Sequence, residues 1–384
     1  MKINNKEFKD WEEDDLQEII DNDAYRENEF IDYKETFAVL ECQDKDSKRR
    51  KQSEFRHDIC SFANADGGYL VFGVKEEMGV PSEIKGITVS NTDKFELDRR
   101  NELSGILPVI PNVEFSYVKL SNGNCVVALK IYRGVHKPYL FKENEDNYKF
   151  YLRRGNRKQA MSYMEIRDNF LHSNLLSEEV RRFRRERLLS YIEEYPDKPF
   201  AIIQVIPEDF LNDTAMTMLY NEYKDKDIKF HDMFNGLCYG HIVPNVDGVC
   251  FPNYQTDYGV FLQLFNNGIS ELFYSLDMDI RVRQGEKWLW VPGILEKMSE
   301  LVEDTKKLYV LLERHAAAYI CVTIFGCKGL WSDEDYRTDY FGKVDRNEIN
   351  CMPVEMLDIT DDEKVTEAIN KCKMIINYSV GRRK

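Results

Sequence analysis

Two hydrophobic patterns alternate along the first part of the chain, and together they predict a mixed α/β fold. The predicted helices, in which apolar residues recur at helical spacing, are 12–23, 51–64, 91–105 and a last one that begins at Met164. The predicted strands are 30–37, 69–74, 113–120, 125–132 and 148–153. Gly67 and Gly68 are expected to end the second helix. These elements form one domain, expected to cover residues 1–172.

The second half of the chain predicts a further domain of class α+β, so the fold class is α/β (α+β) overall. An Arg-rich helix over 175–195, ended by Pro196 and Pro199, is the expected linker (173–198), and the second domain then covers 199–384. Its predicted strands are 200–206, 258–265, 269–275 and 318–325. A long helix is predicted from Pro292 to about Arg314. The stretch 228–257, rich in Gly, Asn, Pro and aromatic residues, is expected to form loops. A sensor, a substrate clamp and an oligomerisation unit are all open roles for this domain.

Net charge limits the kind of nucleic-acid binding that is possible. The chain carries a net charge of −15 over 384 residues, which argues against a protein that coats nucleic acid along its whole surface. Basic clusters nevertheless stand out: Lys48-Arg49-Arg50-Lys51, Arg153-Arg154 with Arg157-Lys158, and Arg181 to Arg187. No apolar run approaches the roughly 20 residues that span a bilayer, and the first residues lack a secretory signal. A cytoplasmic protein without a membrane partner is expected.

Several common site chemistries find no support in the sequence. Nine cysteines occur without a CxxC pair, and six histidines occur without HExxH spacing, so neither a zinc site nor a disulfide framework is indicated. The phosphate-binding pattern GxxxxGK[ST] is absent, and the run 326–329 lacks its spacing. Hydrolysis of a nucleoside triphosphate is therefore disfavoured.

The candidate chemistry lies around the first predicted strand. Asp32 and Lys34 are two positions apart in a strand, so both side chains point to the same sheet surface, with Ile31, Tyr33 and Phe37 facing the other way. A carboxylate suits Mg²⁺ or Mn²⁺, and a lysine beside it can hold a phosphate. Glu27 lies five residues before Asp32, where the end of the preceding helix is expected, and Glu76 lies just past the strand 69–74. Acidic residues number 68 of 384, so this proximity in sequence alone does not establish a metal site.

Four sequence blocks resemble the Schlafen AlbA-like domain family. Residues 27–34 (ENEFIDYK) resemble its E-x4-E-F-K opening, and residues 61–74 (SFANADGGYLVFGV) resemble its AFANTxGGxxxxGV block. Gly86-Ile87 matches the pair that follows, and 137–139 (KPY) with 151–156 (YLRRGN) resemble the closing PxY…YxRxGS element. The blocks occur once each, in the family's order, within about residues 12–172. The second half of the chain is not covered by the resemblance.

The resemblance implies a set of site residues. In the metal-dependent endoribonucleases of the Schlafen branch, the catalytic acids correspond here to Glu27, Asp32 and Glu76, with Asp32 and Glu76 each differing in side-chain length from the family's residue. These three would hold Mg²⁺ or Mn²⁺, and Lys34 would assist catalysis. Arg153 and Arg154 would contact phosphate, with Arg50 and Lys51 as helpers. Gly67 and Gly68 are better explained by backbone geometry than by ligand binding.

Two functions of different class follow from these residues. The first is a metal-dependent endoribonuclease acting on tRNA or other structured RNA, in antiviral defence like its relatives. The second is a regulator that binds DNA or RNA without catalysis, in which the acidic residues are incidental. Animal Schlafens carry two AlbA-like lobes in one chain, whereas this chain carries the signature once. A homodimer or higher even oligomer is therefore expected.

Overall fold

The computed structural model describes most of the chain, in two compact units. The described residues are 3–4, 6, 8–41, 44–144, 147–211, 233–234, 236–237, 242–252, 259–283, 285–312, 314, 316–333 and 342–381. The units are Met1–Leu175 and Leu176–Lys384. Cys42, Cys238, the first residue of the predicted strand 258–265 and much of the predicted loop region 228–257 lie outside the described residues.

The first unit combines four complete helices with eleven strands in its described residues. The helices are α1 (Glu13–Asp21), α2 (Ala38–Glu41), α3 (Lys45–Asn64), α4 (Thr92–Glu102) and the beginning of α5 (Tyr163–Glu194). The strands are β1 (Ile31–Lys34), β2 (Gly68–Phe72), β3 (Val74–Glu77), β4 (Val80–Ile84), β5 (Ile106–Leu107), β6 (Val113–Lys119), β7 (Cys125–Ile131), β8 (Leu140–Asn144), β9 (Asn147–Lys149), β10 (Tyr151–Arg154) and β11 (Arg157–Ala160). The predicted strand 69–74 thus covers most of β2 and the first residue of β3. The two helices predicted from Met164 and over 175–195 are one continuous helix, α5.

A four-stranded mixed sheet, in the order β1-β2-β7-β6, forms the centre of the first unit. β1 and β2 are parallel, because α3 lies between them in the chain, and the other pairs are antiparallel. One face packs against apolar residues of α3, including Phe55, Ile59 and Phe62. The other face packs against Leu16 and Ile19 of α1. Burial on both faces explains the nearly continuous apolar run of β2.

The edge strand β1 divides its side chains between these two faces. Ile31 and Tyr33 belong to the core on the α1 side. Asp32 and Lys34 alternate with them and lie beside Leu70 and Phe72 of β2, on the α3 side. The expectation that Phe37 shares the face of Ile31 is wrong. Phe37 follows the strand and packs on the α3 side, with its ring centre 4.8 Å from that of Phe72.

The two glycines after α3 are required by the backbone. Gly67 has a φ of +79°, and a Cβ atom there would lie 2.6 Å from the carbonyl oxygen of Ile131. Gly68 has a φ of +154°, and its Cβ would lie 2.6 Å from the carbonyl oxygen of Phe30. The geometric explanation for both glycines is confirmed. They let the chain leave α3 and enter β2 in close contact with β7 and with the loop before β1.

The second unit is an antiparallel sheet with helices on both faces. Its strands are β12 (Phe200–Pro207), β13 (Val243–Asn245), β14 (Gly248–Pro252), β15 (Val260–Phe265), β16 (Ser270–Ser275), β17 (Ile280–Arg283), β18 (Glu286–Trp290), β19 (Ala318–Phe325), β20 (Trp331–Asp333), β21 (Glu348–Asn350) and β22 (Val354–Met356). Its helices are the remainder of α5, α6 (Val291–Leu311) and α7 (Asp362–Ser379). The main sheet has the order β13-β14-β15-β16-β12-β19-β21, and β22 also pairs with β19. A separate small sheet has the order β17-β18-β20.

The central strand β12 explains how this unit is held together. All eight of its residues are buried. Ile203 and Val205 pack toward α6 and α7, whereas Ile202 and Ile206 pack toward Leu188 and Leu176 of α5. The Arg-rich segment is thus a covering helix of the second unit. Helix α7 has no counterpart among the predicted elements.

The fold class is confirmed as α+β. The seven cysteines of the described ranges are buried free thiols, at 60, 125, 250, 321, 327, 351 and 372. Within the same ranges, no helix combines the length and the apolar character needed to cross a lipid bilayer.

Candidate functional site

Asp32 is the central charged residue of the candidate site, and it faces α3 rather than solvent. Its side chain is 6% exposed, and its Oδ2 atom lies 2.6 Å from Nζ of Lys34. Its Oδ1 atom lies 3.5 Å from Nη2 of Arg153. Burial alone would raise the pKa of this carboxyl group, but the charges of Lys34 and Arg153 outweigh burial and lower the pKa of Asp32. Asp32 is therefore held as a carboxylate between two cations.

Arg153 belongs to β10 and lies inside the domain, with its side chain 1% exposed. Its guanidinium lies 4.5 Å from the centre of the Phe62 ring. Its Nε atom donates to the carbonyl oxygen of Asn28 and its Nη2 atom to that of Ile31, each at a distance of 3.0 Å. The structure does not support the expected phosphate contact of Arg153, because a buried guanidinium with these acceptors cannot face a nucleic acid. Arg153 instead fixes the position of β1 and the loop before it.

Glu27 lies in the loop between a 3-10 turn (Asp23–Tyr25) and β1, not at the end of a helix. Its Oε1 atom accepts a hydrogen bond from the N–H of Tyr33 over 3.2 Å. Its carboxyl group is also hydrogen-bonded to that of Asp32. Burial, with the nearby charges of Asp32 and Glu76, raises the pKa of Glu27 to about 7 despite the Tyr33 N–H. The structure therefore brings Glu27 and Asp32 into direct contact.

Glu76 approaches the same place from the β3–β4 hairpin. Its Oε2 atom accepts a hydrogen bond from the N–H of Gly79 over 2.5 Å. The carbonyl oxygen of Gly79 in turn accepts from the N–H of Glu27 over 2.8 Å. Gly79, with a φ of +80°, thus joins the two acids through its own backbone, and a Cβ there would lie 3.5 Å from the Cβ of Glu27.

Asp58 and Lys158 extend the charged cluster, and neither was predicted from the sequence as a site residue. Asp58 lies on α3 with its side chain 6% exposed, and its Oδ1 atom lies 2.6 Å from Nζ of Lys158 on β11. Burial raises the pKa of Asp58, against the opposing charges of Lys158 and Lys34. The available signal was spacing: Asp58 stands among Phe55, Ile59 and Phe62 on the buried stripe of α3, where an ionisable residue needs a partner.

The expected basic surface is only partly assembled. Arg154 is 53% exposed and forms an ion pair with Glu165, beside the exposed residues Arg157 and Lys158 of the β10–β11 hairpin. Arg50 is exposed on the first half of α3, where Lys51 lies 2.9 Å from Glu54. The helix rises about 1.5 Å per residue, so Arg50 lies some two turns from Asp58. The hairpin, rather than Arg50 and Lys51, is the positive surface nearest the acids.

Two of the three expected metal ligands are in contact with each other, and the third holds a backbone N–H. Among the described residues, no three Asp, Glu, His or Cys side chains are already arranged as a set of metal ligands. Glu27 and Asp32 are in contact, whereas Oε2 of Glu76 accepts the Gly79 N–H. Mg²⁺ in proteins is commonly held by one or two carboxylates, with water and substrate phosphate completing its shell. The Glu27–Asp32 pair fits this requirement, and the expected triad of three ligands is not assembled.

Comparison with protein families decides the identity of the first unit. Residues 27–162 match the family model described as Schlafen, AlbA_2. The N-terminal unit is a Schlafen AlbA_2 domain. The match contains Glu27, Asp32 and Glu76 together with the β10–β11 hairpin. This family match indicates a nucleic-acid-related function for the AlbA_2 domain.

Similarity to other known proteins is limited. A crystallised protein from Corynebacterium diphtheriae is 17% identical, with a TM-score of 0.26 over 36% of this chain and 23% of its own. The N-terminal domain of a RecG-related protein from Nitrosomonas europaea, named for its relation to an ATP-dependent DNA helicase, is 22% identical. That match has a TM-score of 0.26 over 36% of this chain and 84% of the domain. The chain thus spans less than a quarter of the Corynebacterium protein, and no curated protein matches it.

Proposed function

We propose that the AlbA_2 domain is a metal-dependent endoribonuclease that cuts tRNA or other structured RNA. The observation that carries this proposal is the contact of the Glu27 and Asp32 carboxyl groups beside the Lys34 amino group, at the edge of the central sheet. Acids and a lysine in this arrangement suit the binding of a divalent ion and a phosphate. A role in antiviral defence and a cytoplasmic location belong to the same proposal, by resemblance to the Schlafen relatives.

Each charged residue of the site has a separate part in this reaction. Glu27 and Asp32 would hold Mg²⁺ or Mn²⁺, which when bound activates water and stabilises charge on the phosphate. Lys34, with a side chain 37% exposed, is oriented by Asp32 and can meet a phosphate oxygen. Arg154 on the adjacent hairpin is exposed and would hold the RNA backbone. Arg153 keeps Asp32 in place.

A second candidate is a DNA- or RNA-binding regulator without catalysis. The observation that favours it is the neutralisation of Asp32, because Lys34 and Arg153 already face its two oxygens. In that case the acids serve the fold, and the basic hairpin alone contacts nucleic acid.

Cleavage assays separate the two candidates. The purified chain is incubated with tRNA, rRNA and single- and double-stranded DNA in EDTA, Mg²⁺ or Mn²⁺. We expect RNA cleavage only with metal, and its loss in Glu27→Gln. The matched control is Glu29→Gln, which removes the same charge from an exposed position two residues away. Binding without cleavage under all conditions would select the regulator.

The same proteins test the role of the hairpin. Arg154→Glu should weaken RNA binding and reduce the slope of log affinity against log salt by about 1, because one fewer phosphate is neutralised. An unchanged slope would place the RNA elsewhere on the domain.

A further inference from the structure

The small sheet of the second unit gathers most of the tryptophans of the chain. Of the four tryptophans, three are Trp288, Trp290 and Trp331, on strands β18 and β20. The fourth, Trp11, is buried in the first unit at 4% exposure. The three in the small sheet are each partly exposed. Large aromatic side chains that stay accessible on a sheet are a common feature of binding surfaces.

Strand register places two of these rings in one row with two cations. Arg281 pairs with Trp288 across β17 and β18, and Trp288 pairs with Trp331 across β18 and β20. Trp331 is bridged in turn to Lys343. Side chains directly opposite one another in neighbouring strands project from the same face. The row therefore reads cation, indole, indole, cation, and at about 4.8 Å per strand it extends roughly 14 Å.

Ring contacts within this face are direct. The rings of Trp288 and Trp331 are stacked, with centres 5.5 Å apart and planes at 23°. The guanidinium of Arg281 lies 4.0 Å from the ring centre of Trp290, and the Lys343 ammonium lies 4.8 Å from that of Trp331. The opposite face carries Leu289, which is fully buried in the main core of the unit. The row thus forms the outer face of the sheet.

The outer face carries one more cation than acids at its strand positions, although the whole chain carries a net charge of −15. Arg281, Arg283 and Lys343 occupy positions on it, and strand register adds two acids to the same face, Glu286 opposite Arg283 and Asp333 opposite Trp290. Glu286 lies 3.5 Å from Lys343 and accepts a hydrogen bond from the Trp331 indole N–H over 3.3 Å. Three cations against two acids leave a balance of one positive charge at these positions.

We propose that this outer face binds unpaired nucleotides of a single-stranded nucleic acid. Indole planes stack on any base, and arginine and lysine beside them neutralise the phosphates that connect the bases. A strip of this length accommodates about two or three stacked bases. An acidic peptide would use the cations but gains little from the row of rings. The face lies in a different unit from the acidic site, so this inference goes beyond the proposed nuclease activity.

Tryptophan fluorescence gives a direct test, since three of the four indoles lie on this face. The full chain, as Glu27→Gln in EDTA to prevent cleavage, is titrated with a short oligouridylate. We expect saturable quenching, and Trp331→Ala should raise Kd on the order of tenfold, the loss of about one stacked base. Trp331→Phe should retain most of the affinity, because it keeps an aromatic plane.

Charge reversal supplies a second variant that leaves the rings in place. Arg281→Glu should weaken binding and flatten its salt dependence. The matched control is Lys287→Glu, which reverses an exposed charge next to Trp288, on the alternate face of the same strand. It should change neither property.

Three results would overturn the proposal: no quenching, unchanged affinity in a folded Trp331→Ala protein, or equal quenching by polyglutamate. The last would assign the face to acidic peptides. Because the titration needs no metal and no cleavage, failure of the nuclease proposal leaves this test intact.

Discussion

Arg153 and Asp32 are 121 positions apart in the chain, and their side chains meet beneath the edge of the central sheet. The guanidinium is held by backbone carbonyls on one side and by the Phe62 ring on the other. A buried cation of this kind depends on its carboxylate partner, because the protein interior solvates an isolated charge poorly. The acid expected to serve only chemistry is therefore also part of the fold.

This dependence predicts a difference between neighbouring acids. Asp32→Ala should lower the free energy of unfolding of the AlbA_2 domain by about 3 kcal/mol, because Arg153 is left buried without a carboxylate. Glu29→Ala, at an exposed position, should change it by less than about 0.5 kcal/mol. Urea unfolding followed by circular dichroism measures both. Equal stability of the two variants would mean that the ion pair contributes nothing.

At the residue scale, the sequence predicted which residues form the site more accurately than how deeply each one is buried. Glu27 and Asp32 are in contact, as the resemblance of four sequence blocks to the Schlafen AlbA-like family implied. The burial of Arg153 was not foreseeable, because β10 is four residues long and its neighbours do not show which face is covered. Asp58 was overlooked although it stands on an apolar helical stripe.

Among the elements, those that carry a long, regular pattern were the most predictable. Helix α3 and strand β2 follow from an apolar stripe, two glycines and a continuous apolar run. In the hairpins β10–β11 and β17–β18, only β10 was predicted, as part of the strand 148–153, because strands of four or five residues give too few alternations to stand out. Both candidate binding surfaces lie on these hairpins.

The turn between α3 and β2 allows a prediction with an internal control. Gly67→Ala should lower the free energy of unfolding by more than about 3 kcal/mol, since strain at positive φ is joined by a clash with the Ile131 carbonyl. Gly123 has a similar φ of +85° but nothing within 4 Å of its added Cβ. Gly123→Ala should therefore cost only about 1–2 kcal/mol. Thermal unfolding of both variants would show the difference, and matching shifts would refute the clash.

At the scale of the whole molecule, charge is the main constraint on how the proposed RNA substrate would be held. A net charge of −15 repels a polyanion, and the basic hairpin of the single AlbA_2 domain is short. Two copies of the domain would double the positive surface. Closed two-fold pairing is also the commonest route to an oligomer. The competing possibility is that the second unit supplies the remaining contacts within one chain.

We therefore predict a homodimer or a higher even oligomer. Light scattering at micromolar concentration, with and without tRNA, should give at least twice the chain mass of 45.4 kDa. A monomer mass in both states, with full cleavage activity, would contradict the dimer and favour the second unit as the other contact surface.

The long sequence separation of Asp32 and Arg153 also sets when the acidic site is completed during protein synthesis. A growing chain exposes Asp32 early, but β10 has not been made until residue 154. Until then Asp32 lacks the residue that holds it in place, and β1 lacks the bonds from Arg153 to its carbonyls. The ribosome therefore releases nearly the entire AlbA_2 domain before the acids reach their final positions. Fragments that end before β10 should have neither the site nor the stability that goes with it.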